Sequence, residues 1–252
     1  MSQHSSEMPS LGIIGFGAFG RLIALHLAPW FQIRAYDPVP RLPLPEYVSL
    51  VDLEAAACSS VVVLAVPVMA LRDTVERIAP HLMPDALVLD VGSVKVQAAE
   101  VLRKGFPAGI DVVATHPLFG PQSAKNGLSG LRIAVNPIHG SRHVEVAYFL
   151  RQKLGLHVIL CTPEEHDREL AMVQGVTHLI AKVLTRMEPL PSRMTTRSFE
   201  RIMEAVDMVR DDAPEVFHAI EVANPYANEV RDQFFDVARS LDKELRALGR
   251  TG

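Results

Sequence analysis

Leu11-Gly12-Ile13-Ile14-Gly15-Phe16-Gly17-Ala18-Phe19-Gly20 runs from a short apolar strand into a glycine pattern, and residues 21–27 then show the apolar spacing of a helix. A strand, a glycine turn and a helix in this order are typical of a dinucleotide-binding unit, in which the helix N-terminus faces the phosphates. We expect Gly15 to allow the tight turn and Gly17 to let the backbone approach the pyrophosphate. Gly20 would let the helix pack on the strand.

The second half of this unit follows at the expected distance. Residues 31–36 read as a strand, and Asp37 comes at its end, 20 residues after Gly17. An acid at this position accepts hydrogen bonds from the adenosine ribose and repels a 2′-phosphate, which favours NAD; Arg41 is close enough in sequence to leave NADP open. The predicted cofactor-binding residues are Gly15, Gly17, Ala18, Phe19, Gly20, Asp37, Val66 and Pro67.

Further apolar runs predict the rest of an α/β domain. Continuous runs such as Val61–Val66 are typical of strands buried on both faces of a parallel sheet. The proline-rich residues 38–45 predict a surface loop over the adenine side. We predict a Rossmann-type doubly wound parallel sheet over residues 11–161, after a disordered N-terminus at residues 1–10. The further predicted strands cover residues 86–90, 110–114, 131–136 and 156–160, and the helices cover residues 71–78 and 142–154.

The strand and helix alternation stops near Thr162. Pro163 suits the first turn of a helix, and the pattern stays helical to the C-terminus, with breaks near residues 189–191 and before Pro214. This segment, residues 162–252, is too short and too apolar on its helix faces to be stable as an isolated domain. We therefore predict an all-helical domain that completes the substrate cleft and forms a homodimer.

Composition limits the partners. The 252-residue chain is 48% hydrophobic with a formal net charge of −4, and its Lys/Arg runs never exceed two residues. These values favour a small-molecule substrate over nucleic acid or a membrane surface. The polar first ten residues and the two widely spaced cysteines, Cys58 and Cys161, predict a cytoplasmic protein with buried free thiols. No metal site is predicted.

The candidate catalytic residues follow two predicted strands. His116 ends a mostly apolar run and is followed by two prolines and a glycine, which is how a rigid catalytic base is often held. Ser93 follows the strand at residues 86–90. Because the carboxyl ends of successive strands line one cleft, Ser93 and His116 are expected to face the same ligand. Lys95 reads as a surface residue, or as one that supports a phosphate or the substrate by charge.

Four motifs together resemble the prephenate/arogenate dehydrogenase family, and most closely its short plant-like and cyanobacterial-like branch. They are the glycine pattern of residues 15–20, the segments Asp90–Lys95 and Thr115–Gly127, and Glu164-Glu165-His166-Asp167. The resemblance implies a Rossmann domain followed by an all-helical dimerisation domain. It also implies NAD(P)-dependent oxidative decarboxylation of arogenate to tyrosine, of prephenate to 4-hydroxyphenylpyruvate, or of both, in tyrosine biosynthesis.

The resemblance also implies roles for individual residues. His116 would be the general base and Ser93 would orient it. Asp207 falls where the plant-like branch carries an acid associated with arogenate, whose ammonium replaces the keto oxygen of prephenate. One arginine would hold the ring carboxylate, and Arg197, Arg201 and Arg210 all stay candidates. The residues implied to contact the substrate are Gln122, Ser123, Lys125, His178 and Asp207.

Two other interpretations stay open. The β-hydroxyacid dehydrogenase and imine reductase group has the same domain layout and uses a helical lysine, for which Lys182 is the candidate. Thr185 stands where that group has an asparagine, and that group does not explain the segment after His116. A non-catalytic NAD(H) sensor would need the cofactor site but not both Ser93 and His116. Between arogenate, prephenate and an amino-substituted ring, the sequence favours arogenate through Asp207.

Overall fold

The structure is a computed structural model that describes residues 8–249 and contains two compact units that meet after Pro163. The predicted disorder of residues 1–10 falls mostly on residues 1–7, which lie outside the described residues. Ser10 is already the first residue of a strand, in register with Gln32.

The first unit is built on one eight-stranded sheet. Its strands are β1 (Ser10–Ile14), β2 (Gln32–Tyr36), β3 (Val48–Leu50), β4 (Val61–Leu64), β5 (Leu87–Asp90), β6 (Asp111–Pro117), β7 (Arg132–His139) and β8 (His157–Leu160). They lie in the order β3-β2-β1-β4-β5-β6-β7-β8. All neighbours are parallel except β6 and β7. The predicted doubly wound parallel sheet is therefore confirmed, except that β6 and β7 pair in antiparallel fashion.

Helices cover both faces of this sheet. They are α1 (Ala18–Leu27), α2 (Leu53–Ala57), α3 (Leu71–Ile78), α4 (Val96–Gly105) and α5 (His143–Leu154). Residues of α1 and α5 pack into one apolar core with alternate strand residues, and residues of α2, α3 and α4 pack into a second core with the others. Strands buried on both faces explain the continuous apolar runs in the sequence.

The pair formed by β6 and β7 is the one departure from parallel pairing. Residues 118–131 connect these strands with turns and contain no helix, so the chain reverses instead of crossing over. His116 is paired with Ala134 in this antiparallel ladder. The strand therefore extends past His116 to Pro117, three residues further than the predicted strand at residues 110–114.

The second unit is helical. Its helices are α6 (Pro163–Leu170), α7 (Val176–Arg186), α8 (Arg197–Val209), α9 (Pro214–His218) and α10 (Ala227–Leu248). Two π-helical turns, Ala171–Gly175 and Ala219–Ala223, continue α6 into α7 and extend α9. The break before α10 was not predicted. There Asn224 accepts the Tyr226 N–H at 2.9 Å and donates to the Asp167 carbonyl at 2.8 Å.

The expectation of two buried thiols is wrong. Cys58 is exposed and Cys161 is partly exposed. Cys58 is the C-cap of the short helix α2, and its N–H bonds to the Glu54 carbonyl, so it lies outside the apolar run that begins at Val61. Within residues 8–249, every helix is too short or too polar to cross a membrane.

Candidate active site

The glycine turn after β1 has the geometry that its sequence demands. Gly15 adopts φ +96°, and a Cβ there would lie 2.3 Å from the Ala65 carbonyl oxygen at the end of β4. A Cβ on Gly20 would lie 2.2 Å from the Gly15 carbonyl oxygen. A side chain at either position would clash with these carbonyl oxygens. At Gly15 a side chain would also be strained by the positive φ. Glycine is thus required where strand, turn and helix meet.

The same turn fits a dinucleotide. No described atom lies within 4 Å of a Cβ placed on Gly17, the N-cap of α1, so space is open at the helix N-terminus, which attracts phosphate. Asp37 accepts the Phe16 N–H at 2.7 Å and the Val39 N–H at 2.9 Å. Each of its oxygens keeps a lone pair for a ribose hydroxyl.

The loop after Asp37 is tied to the glycine turn. The guanidinium of Arg21, in the first turns of α1, donates to the carbonyl oxygens of Arg41 and Pro43, and it lies 5.1 Å from the Phe16 ring centre. Arg41 takes part in this contact through its backbone carbonyl and not through its side chain.

The remaining predicted cofactor residues border this turn. Val66 and Pro67 follow β4, and a Cβ on Gly15 would lie 3.3 Å from the Val66 side chain. The rings of Phe19, in α1, and Phe119, just after His116, have centres 6.4 Å apart. The glycine turn and the segment that carries His116 are therefore neighbours.

Ser93 follows β5, and His116 is the last residue but one of the adjacent strand β6, at the same edge of the sheet. β5 and β6 are parallel, with Asp90 in register with Ala114, so Ser93 lies three residues and His116 two residues beyond one register line. His116 is 4% exposed, whereas Ser93 is partly exposed. The structure thus brings together the ends of the two strands that carry the predicted catalytic pair.

Lys95 is buried, and the expectation of a surface lysine is wrong. It is 0% exposed, and its Nζ donates to the Asp90 carboxylate and, at 2.8 Å, to the Thr115 carbonyl oxygen. Thr115 in turn donates its hydroxyl to the Asp90 carbonyl at 2.8 Å, while the Gly92 N–H donates to the other Asp90 carboxylate oxygen. A buried charge persists only when it is paired in this way. We call Asp90, Lys95 and Thr115 the strand latch.

The strand latch was missed by sequence reasoning, although a signal was present. Asp90 ends an apolar strand and Lys95 follows five residues later, across a glycine turn. An acid at the end of a buried strand needs a partner, and a lysine one turn away is the nearest one available. The latch flanks both segments of interest, because Ser93 lies inside its turn and His116 follows Thr115.

The segment after His116 carries three predicted substrate residues. Gln122, Ser123 and Lys125 are exposed on a series of turns, and the buried Ala124 anchors these turns to the core. Gly127 closes the segment at φ +104°.

In the helical unit, His178 lies on α7 and is 5% exposed. Its Nδ1 faces the Gln174 carbonyl at 2.9 Å and its Nε2 faces an Asp212 carboxylate oxygen at 3.2 Å. A carbonyl and a carboxylate are both acceptors, so both contacts are satisfied when the ring donates from both nitrogens. Asp212, which sequence reasoning did not single out, is therefore the acid beside His178.

Asp207 has a different environment. It lies on α8 with a side chain 66% exposed, and it forms an ion pair with Arg210 at 3.2 Å. Arg210 also pairs with Glu188 at 2.7 Å, and its side chain is the least exposed of the three candidate arginines. Lys182, one turn after His178 on α7, has its Nζ 5.4 Å from the Phe217 ring centre.

Comparison with known proteins shows which protein family the chain belongs to. Residues 47–160 match the family model of the prephenate dehydrogenase nucleotide-binding domain, and residues 162–250 match that of the prephenate dehydrogenase dimerization domain. The chain is 30% identical to the 4-amino-4-deoxyprephenate dehydrogenase of Streptomyces pristinaespiralis over 83% of its own length and 68% of that protein. The chain belongs to the prephenate dehydrogenase family.

Two further relatives are less similar in sequence. A probable arogenate/prephenate dehydrogenase of Methanocaldococcus jannaschii is 26% identical over 80% of this chain, which spans only 47% of that protein. The structure of prephenate dehydrogenase from A. aeolicus in complex with hydroxyphenyl propionate and NAD+ superposes with a TM-score of 0.73 at 20% identity. That match covers 98% of this chain and 93% of the other, and it shows a shared fold.

The match to the prephenate dehydrogenase family model begins at residue 47, after the glycine turn. The assignment of the glycine turn to a dinucleotide therefore depends on the geometry of Gly15, Gly17 and Asp37. The matched range does include the strand latch, Ser93 and His116.

Proposed function

We propose that this protein catalyses the NAD(P)-dependent oxidative decarboxylation of arogenate, prephenate or both, with His116 as the general base. The observation that carries the proposal is the strand latch, because it joins the strand ends that bear Ser93 and His116 next to the glycine turn. A buried lysine and aspartate in this position favour a pre-organised catalytic edge.

The reaction needs a base at one carbon of the substrate ring. That carbon carries a hydroxyl group, and the opposite ring carbon carries a carboxylate. As neutral His116 accepts the hydroxyl proton, a hydride leaves the same carbon and the bond to the carboxylate breaks. Carbon dioxide is released, and the electrons of the broken bond complete the aromatic ring. The ring oxygen then regains a proton as a phenol.

Ser93 would orient this proton transfer. Its hydroxyl can accept a hydrogen bond from one group and donate to another, so it can join the imidazole to the substrate hydroxyl. Burial of His116 at 4% exposure supports the role of base, because exclusion of water keeps the transfer between ring and substrate.

The cofactor would be held by the glycine turn and Asp37, and when bound it supplies the hydride acceptor. The N-terminus of α1 would stabilise the pyrophosphate. Asp37 would accept hydrogen bonds from the ribose hydroxyls and repel a 2′-phosphate, which favours NAD over NADP. Ala18, Phe19, Val66 and Pro67 would border the cofactor beside these groups.

The substrate side chain would be bound by the polar residues that the family resemblance indicates. The proposed contacts are Gln122, Ser123, Lys125, His178 and Asp207. Exposed polar side chains on turns, such as Gln122, Ser123 and Lys125, suit a polar head group.

We also propose that the protein is a cytoplasmic homodimer assembled through its helical unit. Helix α10 has exposed apolar side chains at Val237, Leu241 and Leu245, which follow one another by a helical turn on one face. The matched family model is that of a dimerization domain. A stripe of this kind on the longest helix is a suitable surface for a second copy.

A substrate and cofactor panel tests the function. Purified protein would be assayed for NAD(P)H absorbance with arogenate, prephenate and 4-amino-4-deoxyprephenate, each with NAD and with NADP. We expect turnover of arogenate with NAD to be fastest. If prephenate is turned over fastest, the proposed preference for arogenate is wrong, and the proposed oxidative decarboxylation still holds. No turnover of any ring would overturn the proposal and favour a reaction that uses Lys182.

A further inference from the structure

A buried glutamate in the helical unit, Glu221, is better placed than Asp207 for pairing with a substrate ammonium. We propose that Glu221 binds the ammonium group of an amino-acid substrate and so directs the enzyme to arogenate over prephenate. This inference rests on the proposed function, since it names the group that reads the substrate side chain.

Glu221 is a half-satisfied buried carboxylate. It lies in the π-helical turn Ala219–Ala223 and is 3% exposed. Arg231 Nη1 donates to its Oε2 at 3.2 Å and to its carbonyl oxygen at 2.9 Å. Its Oε1 has no hydrogen-bond partner among the described residues. A buried acceptor without a donor costs folding free energy. A bound cation or N–H group at this oxygen would remove that cost.

A glycine leaves space beside this oxygen. A Cβ built on Gly175 would lie 3.6 Å from Oε1, and apart from its own helix no other described atom comes within 4 Å of that position. Gly175 ends the other π-helical turn, which packs against the turn that carries Glu221. Turns of this kind are frequent at functional sites.

The gap lies on the helix face that carries His178. Gly175 and His178 are three residues apart at the start of α7, so they share one face. Oε1 therefore faces the helical turn that leads from Gly175 to His178. Burial raises the pKa of Glu221, and this outweighs the lowering by the hydrogen bond and charge of Arg231 and, last, by the charge of His178.

This arrangement matches the head group of an amino acid. Such a group carries an ammonium, a cation with N–H donors, and Oε1 is a buried acceptor without a donor among the described residues. Prephenate has a keto oxygen in place of the ammonium, which would face Oε1 as a second acceptor. Asp207 is less suited to this selection, because its carboxylate is exposed and paired with Arg210.

Substitution of Glu221 tests the assignment by turnover. In the full chain, Glu221→Gln keeps the shape and an oxygen for Arg231 but loses the charge. We expect kcat/KM for arogenate to fall by about 10- to 100-fold, mainly through KM, and kcat/KM for prephenate to change by less than about threefold. Glu204→Gln is the matched control, since Glu204 is an exposed glutamate paired with Arg201 at 2.5 Å on α8.

Two kinetic results would overturn the assignment. An equal fall for both substrates would show that Glu221 is only structural. Loss of the preference in Asp207→Asn, with the preference retained in Glu221→Gln, would return the role to Asp207. If the unsubstituted protein turns over neither ring, the proposed function fails, and a binding experiment then tests Glu221 independently.

The binding experiment compares two ligands that differ in the ammonium group. L-Tyrosine and hydroxyphenylpropionate share the ring and the carboxylate, and calorimetry with NAD+ present measures each affinity. We expect the unsubstituted protein to prefer L-tyrosine by at least about tenfold and Glu221→Gln to lose that preference. An unsubstituted protein without the preference, or a Glu221→Gln protein that keeps it, would overturn the inference.

Discussion

The Lys95 ammonium donates a hydrogen bond at 2.8 Å to the carbonyl oxygen of Thr115, the residue directly before His116. The same ammonium pairs with the Asp90 carboxylate, at the end of the neighbouring strand. One buried cation therefore fixes the two strand ends relative to each other. The position of the proposed base is set by a residue that need not touch the substrate.

Breaking the strand latch should cost both stability and activity. Lys95→Met leaves the Asp90 carboxylate buried without its cation, which we expect to lower the free energy of unfolding by about 3–5 kcal/mol. In the double variant Lys95→Met/Asp90→Asn no charge is left, so part of the stability should return while activity stays low. Urea unfolding and NADH formation measure the two effects. Equal stability of the single and double variants would contradict this account.

Asp37 should control the choice of cofactor. In Asp37→Ser the carboxylate that repels a 2′-phosphate is gone, so we expect kcat/KM with NAD to fall by about 10- to 100-fold and the ratio of NADP to NAD use to rise. Glu46→Gln is the matched control, because Glu46 is an exposed acid in the same connection between β2 and β3. An unchanged ratio of NADP to NAD use in Asp37→Ser would show that another residue binds the adenosine ribose.

Glu221 should make substrate preference depend on pH. Burial raises the pKa of this carboxyl above its ordinary value of 4.5, despite the opposing effects of Arg231 and His178. Below the raised pKa the carboxyl is neutral, so the ratio of kcat/KM for arogenate to that for prephenate should rise as the pH increases through it.

The control for this pH profile is Glu221→Gln. His178 and its neighbour Asp212 are present in both proteins, so the difference between the two profiles isolates Glu221. The folded state holds this proton more tightly than the unfolded chain, so the stability that it contributes is lost as pH rises through the folded pKa. A ratio that rises equally in Glu221→Gln would assign the effect to another group.

The stripe on α10 should determine the oligomeric state. Leu241→Glu places a charge in the centre of the exposed apolar stripe, and we expect it to convert a dimer to a monomer at micromolar concentration. Sedimentation velocity measures the change. Val144→Glu, on an exposed apolar position of α5 in the other unit, should leave the dimer intact. Dissociation by Val144→Glu alone would place the interface on the first unit.

Much of the fold was predictable because apolar runs report burial directly. Helix α3 begins and ends at the predicted residues, and the predicted strands lie within three residues of those observed. The short strand β3 and helix α2 were missed, since three to five residues give too little periodicity to recognise. Strand direction is not encoded in an apolar run, so the reversal at β7 was also missed.

The candidate site was only partly predictable for a different reason. His116, Ser93 and Asp37 were found because each lies at or just beyond the carboxyl end of a strand, where α/β proteins hold their ligands. Lys95 and Glu221 were missed because a charged residue normally indicates a surface. Their burial depends on partners that the sequence does not mark, such as the Thr115 carbonyl and the gap at Gly175.

The most direct test of the account is the rate of NADH formation from arogenate by His116→Asn and by the unsubstituted protein, with equal folding checked by thermal melting. We predict that the unsubstituted protein turns arogenate over and that kcat falls by about 100- to 10,000-fold in His116→Asn. Equal rates in the two proteins would contradict the role of His116 as the base. An unsubstituted protein that turns over no cyclohexadiene substrate would contradict the proposed reaction itself.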